Sequence, residues 1–172
     1  MSVITVQKEF NEIQTMLFKR ADLHVVVIGC DKCAKVSQTG GANEVRKIRE
    51  DLHQGKYMIL KPDGLVDALE EGLCDPEAVT RQLAPLTPFK GQFQLLVMAC
   101  GAALKCVSDL LPNVPIVPGL NTLGPGVRDQ LACISCGDCR FGTHGCQMTR
   151  LLALQVKRLN ESYSTVETEV SH

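Results

Sequence analysis

Several kinds of signal are missing from this sequence. The chain has no charge excess, with 18 basic and 19 acidic residues giving a net charge of −1. That balance offers no electrostatic footprint for nucleic acid or a membrane surface. No apolar run approaches the ~20 residues that a membrane-spanning helix requires. The first twenty residues, MSVITVQKEFNEIQTMLFKR, carry charges throughout and lack the apolar stretch of a secretory signal. Also missing are a phosphate-binding Walker loop, a GxGxxG turn, a Ser-His-Asp order and any solenoid-type repeat. These absences lead us to expect a cytoplasmic protein with no nucleic-acid partner and no membrane partner.

Cysteine, by contrast, is plentiful. In a compartment that keeps thiols reduced, nine cysteines in 172 residues call for metal binding or redox chemistry rather than disulfides. A chain of this length with 45% hydrophobic content buries a core large enough to fold without covalent staples.

Along the chain, Phe10, Ile13 and Leu17 recur at helical spacing, so residues 4–19 read as an amphipathic helix. His24 to Cys30 is a short β-branched run ending at Gly29-Cys30, the pattern of a buried parallel strand. Val45, Ile48 and Leu52 mark a helix that stops at Gly55, and Tyr57 to Leu60 reads as a second strand closed by Pro62. Two short helices are expected around Leu65 to Glu70 and Pro76 to Leu83. The run Gln94 to Cys100 repeats the first strand's pattern and is followed by a helix from Ala102 to Leu111. Val114 to Pro118 reads as an edge strand because of its prolines.

This alternation predicts an α/β fold, a small parallel sheet flanked by helices of the Rossmann-like or flavodoxin-like kind, with a C-terminal cysteine-rich metal-binding loop and helix. The expected organisation is an α/β domain over 1–120, a cysteine-rich metal-binding segment over 121–161 packed on it, and a disordered tail over 162–172. Met148, Leu151, Leu152, Val156 and Leu159 supply the apolar stripe of the C-terminal helix.

The strongest motif is Cys133-x2-Cys136-x2-Cys139-x6-Cys146. Consecutive C-x2-C steps wrap the backbone around one compact object and turn its N–H groups toward the sulfides of an iron–sulfur cluster. Gly137, Gly142 and Gly145 suit such wrapping because they tolerate positive φ. Zinc is the competing metal, although structural zinc sites pair two separated knuckles more often than they use three unbroken steps. A [4Fe–4S] cluster is therefore expected, with zinc as the alternative.

A second constellation combines Cys30 and Cys33 with Cys100. Cys30 and Cys100 end predicted parallel strands, and such ends share one edge of the sheet, where α/β folds place their sites. Three thiols are an incomplete set, and the fourth ligand could be Asp31, water or a cysteine of the C-terminal loop. The alternative makes Cys100 a small core hydrophobe and Cys30-x2-Cys33 an ordinary turn. Cys106 reads as core and Cys74 as structural or incidental. Thr39-Gly40-Gly41, ahead of a helix, could present N–H groups to an anion or cofactor, or could simply allow close packing. His144 reads as a solvated loop residue.

Together these regions resemble the MetV-type subunit of bacterial methylenetetrahydrofolate reductases, in particular its C-terminal cysteine-rich domain. The resemblance rests on Ile28-Gly29-Cys30-Asp31-Lys32-Cys33 with Thr39-Gly40-Gly41 and Glu44-Val45, and on Ala99-Cys100-Gly101. It also rests on Val117 to Thr122, and on the C-terminal cysteines with Thr149-Arg150. It covers roughly residues 23–155. It implies a partner subunit of a flavoprotein reductase that carries iron–sulfur or zinc and passes electrons toward the flavin, without turnover of its own. Cys133, Cys136, Cys139 and Cys146 would be its C-terminal ligands, and Cys30, Cys33 and Cys100 its N-terminal ones. Two departures stand out. Ser37 replaces a frequent third N-terminal cysteine, and Leu151 to His172 replace a glycine- and cysteine-rich tail. The other function in view is a zinc-binding structural or assembly module with no redox role.

Overall fold

The computed structural model describes residues 2–127 and 131–132. Cys133, Cys136, Cys139 and Cys146, His144, the expected C-terminal helix and the tail lie outside the described residues.

The described residues form two sheets. The larger is four-stranded and entirely parallel, in the order β3 (Ala68–Leu69), β2 (His24–Cys30), β4 (Phe93–Met98) and β5 (Ile116–Pro118). Counting only its own members, the chain visits them as second, first, third and fourth. The connection therefore reverses direction between β2 and β4. From His24 to Gly29, β2 pairs residue by residue with Phe93 to Met98. Both strands are continuous apolar runs because helices cover both of their faces.

Alternation along the strands assigns the helices to those faces. Gly29 points at Val45 of α3 (Ala42–Gln54). Gln94, on the same face of β4, donates through Nε2 to the carbonyls of Leu17 (3.2 Å) and Arg20 (2.9 Å), at the end of α1 (Phe10–Phe18) and just beyond it. That pairing satisfies an amide that is 1% exposed. On the opposite face, α4 (Pro76–Leu83) and α5 (Gly101–Leu110) pack on each other. Cys30, one residue along from Gly29, therefore faces α4 and α5. The α4 helix starts sharply because Asp75 accepts the N–H groups of Glu77 (3.0 Å) and Ala78 (3.1 Å) and Pro76 occupies the first turn.

The smaller sheet is antiparallel, in the order β1 (Ser2–Gln7), β6 (Leu120–Val127) and β7 (Leu131–Ala132). Its register runs from Ser2 opposite Gly126 to Gln7 opposite Leu120, with a slip between Ile4 and Thr5. This pairing corrects the expected 4–19 helix. Residues 2–7 are strand, and the helix begins only at Phe10. A local apolar period does not register a partner strand more than a hundred residues away. β6 also carries the chain across the expected boundary at residue 120.

Two further expectations change. Tyr57 to Leu60 contributes a single parallel bridge, Val25 to Ile59, instead of a strand. Pro62 ends the pairing, and the edge resumes at Ala68–Leu69 beside Gly29 and Cys30. The helix expected around Leu65 to Glu70 is replaced by this short strand. Gly64, at φ +84°, turns the chain into it.

Candidate functional site

Cys30, Cys33 and Cys100 lie at or just beyond the C-terminal ends of the parallel strands. Cys30 closes β2 and Cys100 lies two residues past the end of β4, and they are 3% and 5% exposed. The two strands are neighbours, and they are the pair between which the chain reverses direction. Open parallel sheets form their ligand-binding crevice at such a point. Cys33 is the first residue of the short helix α2 (Cys33–Val36), three residues after Cys30, and is partly exposed. Cys100 caps the start of α5, whose first N–H groups carry partial positive charge.

Of the expected fourth ligands, Asp31 is already engaged. Asp31 accepts the Ala42 N–H at the start of α3 (3.1 Å) and pairs with Lys35 Nζ (2.9 Å), and that contact holds the Lys35 ammonium above the usual lysine range. The start of α3 thus has its anion supplied from within the chain. Ser37 Oγ accepts the Thr5 N–H (3.2 Å), while Thr5 Oγ1 and Thr39 Oγ1 lie 2.6 Å apart. A hydroxyl here anchors β1 instead of facing the thiols.

Gly40 and Gly41 have packing reasons for being glycine. Gly40 accepts the Cys30 N–H through its carbonyl (2.9 Å), and a Cβ on it would collide with the Met98 carbonyl. Its backbone is therefore wedged between the ends of β2 and β4. At Gly41, a Cβ would press on Asp31 Oδ1 at 3.1 Å and on Glu44 Oε2 at 3.0 Å.

Cys74 is the residue that sequence reasoning set aside. It lies in the turn between β3 and α4, on the face to which Cys30 belongs, and is exposed. Its Sγ is 3.7 Å from where a Gly72 Cβ would stand, and Lys32 Cγ approaches the same point at 3.1 Å. Gly72, at φ +94°, leaves room for both. Its thiol is pushed up, first by burial and then by the charges of Cys30 and Cys100, with Cys33 contributing less. Cys106, on α5, is pushed up by burial and by Asp109 and Asp75, and none of the other thiols contributes.

No three Cys, His, Asp or Glu side chains among the described residues are grouped closely enough to hold one metal ion. Tetrahedral zinc, with Zn–S near 2.3 Å, requires its sulfurs about 3.8 Å apart. A four-iron cluster takes its thiolates at separate corners and so accepts a wider ring. The N–H of Gly101, beside Cys100, is donated to Thr122 Oγ1 of β6 (2.8 Å). With the Thr5 contacts, this ties the small sheet to the cysteine end.

No family model and no solved structure matches the chain. The chain is similar to a Drosophila virilis protein described as an Integrator complex subunit 3 homolog, with 31% identity over 107 residues. The match takes in 61% of this chain, which spans only 8% of that protein. No helix among the described residues is long and apolar enough to cross a membrane. What the structure establishes is an α/β protein with a helix-flanked parallel sheet, with Cys30 at the end of β2 and Cys100 at the start of α5.

Proposed function

We propose that the chain is an iron–sulfur electron-transfer or accessory subunit that serves a flavin-dependent methylenetetrahydrofolate reductase partner. The observation that carries this reading is the placement of Cys30, Cys33 and Cys100 at the switch point of a parallel sheet. The strand order matches that of flavodoxin-like folds, which bind a redox cofactor at the same place. Cys133, Cys136, Cys139 and Cys146 form the second ligand set, by their spacing and by the family resemblance. A cluster at either set would take up and release single electrons. These cysteines would hold it, and Cys30 and Cys100 are shielded from water by their burial. Asp31 and Lys32 are the polar side chains nearest the N-terminal set in sequence. Asp31 is already paired with the Ala42 N–H and Lys35. The Integrator likeness covers a small part of a much longer protein and brings no activity to this chain.

The test is anaerobic purification with the reductase partner, followed by reduction of the partner's flavin. Faster flavin reduction in the presence of the chain is expected. An unchanged rate, with no complex formed, argues against the electron-transfer role.

A further inference from the structure

We propose that the cavity between α3 and the chain from Ile59 to Lys61 binds the phosphate group of a small molecule. The inference is independent of the metal centre proposed above. The cavity measures about 550 Å³ and is lined by Arg49, Glu50, His53, Gln54, Ile59 and Lys61. That is room for a phosphate with a short organic body, within the range of ordinary ligand pockets.

The observation that carries the proposal is an excess of cations around Asp67. Arg49 (2.6 Å), Lys61 (2.7 Å) and Arg46 (3.4 Å) all converge on that one carboxylate. Joining α3 to the chain entering β3 requires a single ion pair, yet three cations are gathered. Like charges brought together repel, and one carboxylate offsets one of them. A second anion beside Asp67 would offset what remains.

Donors are left over as well. Among the described residues, Arg49 gives one N–H to Asp67 and Lys61 gives one, and neither has another acceptor. The Arg49 side chain is 20% exposed, and no fully buried side-chain nitrogen among the described residues lacks a partner. The remaining N–H groups of its guanidinium are therefore accessible, and the cavity is the accessible space that Arg49 lines.

The two walls follow from local structure. Arg46, Arg49 and His53 fall at i, i+3 and i+7 on one stripe of α3, beside the buried stripe of Val45, Ile48 and Leu52. On the other wall, Met58 accepts the Val25 N–H (2.7 Å) and Leu60 donates its own to the Val25 carbonyl (3.0 Å). Those bonds fix Ile59 and Lys61 against the sheet. Guanidinium, ammonium, imidazole and amide thus come from two sides of one space. Donors from several directions match the tetrahedral oxygens of phosphate better than a second planar carboxylate, and Ile59 offers the carbon body an apolar contact. Glu50 is the one carboxylate lining the cavity, and it opposes an anion.

The experiment titrates the full chain by calorimetry with inorganic phosphate, glycerol phosphate and glycerol, at an ionic strength held constant with sodium chloride. Saturable phosphate binding with a dissociation constant below about 10 mM is expected, and none of glycerol. Tighter binding of glycerol phosphate assigns the site to a phosphate monoester, and tighter binding of phosphate assigns it to the free ion; either supports a phosphate site. Lys61→Gln should weaken binding about tenfold through the loss of one charge-assisted hydrogen bond, and Arg49→Gln at least as much. Glu50→Gln should strengthen it about threefold by removing a like charge. Lys105→Gln removes the same charge from α5, on the opposite face of the sheet, and should leave binding unchanged. Lys61 and Glu50 are exposed, so their variants keep the test where Arg49→Gln fails to fold. No saturable binding, or an affinity that Lys61→Gln and Glu50→Gln both leave unchanged, overturns the proposal and leaves the proposed function standing.

Discussion

The two sheets differ in where their stability comes from. In the parallel sheet, β2 and β4 bury nearly every side chain, and Val25, Val26, Leu95, Leu96 and Val97 are fully enclosed. In the antiparallel sheet, Val6 and Leu123 are about half exposed, and β6 includes Gly124, Pro125 and Gly126. The first sheet is a scaffold held by apolar burial. The second is a strap held by backbone pairing and a few hydroxyl contacts, and it joins the cysteine end to the segment that leads into Cys133. Rigid strands set the positions of Cys30 and Cys100, while the strap's own contacts sit beside them.

The largest expected effect probes the scaffold. Leu96→Ala leaves a cavity at a fully enclosed position and should cost about 2–5 kcal/mol in denaturant unfolding. Leu123→Ala, on the exposed side of the strap, should fall within about 0.5 kcal/mol. Similar losses at both positions would erase the distinction between the sheets.

Asp67 comes next. It pairs with Arg49 (2.6 Å), Lys61 (2.7 Å) and Arg46 (3.4 Å), joining α3 to the chain entering β3. Burial works against its charge, but the contacts with Arg49 and Lys61 outweigh it and hold the carboxyl below the usual carboxylate range. A depressed folded-state value means the contribution is complete above the unfolded value near 3.9 and is lost as pH falls through the lower folded one. Asp67→Asn should therefore destabilise by about 1.5–3 kcal/mol at neutral pH. The gap from the parent should narrow below about pH 4. A gap independent of pH would remove the ion pairs from this account.

Gly40→Ala should cost about 1–3 kcal/mol by forcing a methyl group against the Met98 carbonyl, and should loosen metal binding by parting β2 from β4. Thermal melting and metal content should fall together. The smallest effect belongs to the strap. Ser37→Ala removes the acceptor for the Thr5 N–H, at about 1 kcal/mol, and should speed hydrogen exchange at Thr5 while leaving Val26 and Leu96 protected.

The same contrast explains what the sequence made legible. β2, β4, α3, α4 and α5 follow from local runs and periods, because each buries its own apolar residues against the scaffold. β1 and β6 do not, since Ser2 finds its partner at Gly126 and neither run carries a strong alternation. Likewise, Cys30 and Cys100 could be placed from the sequence because both end apolar strands. Cys74 follows a strand of two residues that has no pattern to read. A signal was nevertheless present. Asp75-Pro76 marks a helix start, so Cys74 had to lie at the turn leading into α4, on the same edge as the strand ends. The glycines at 40 and 41 matched an anion-binding turn in sequence, and only the position of Asp31 showed that the start of α3 was already supplied.

The most direct test of the central claim is metal analysis of the intact chain purified without oxygen. The account predicts iron and acid-labile sulfide in equal amounts, little zinc, and a visible absorbance that bleaches on reduction. Zinc alone, or a metal-free chain that takes up no iron and sulfide, would contradict it.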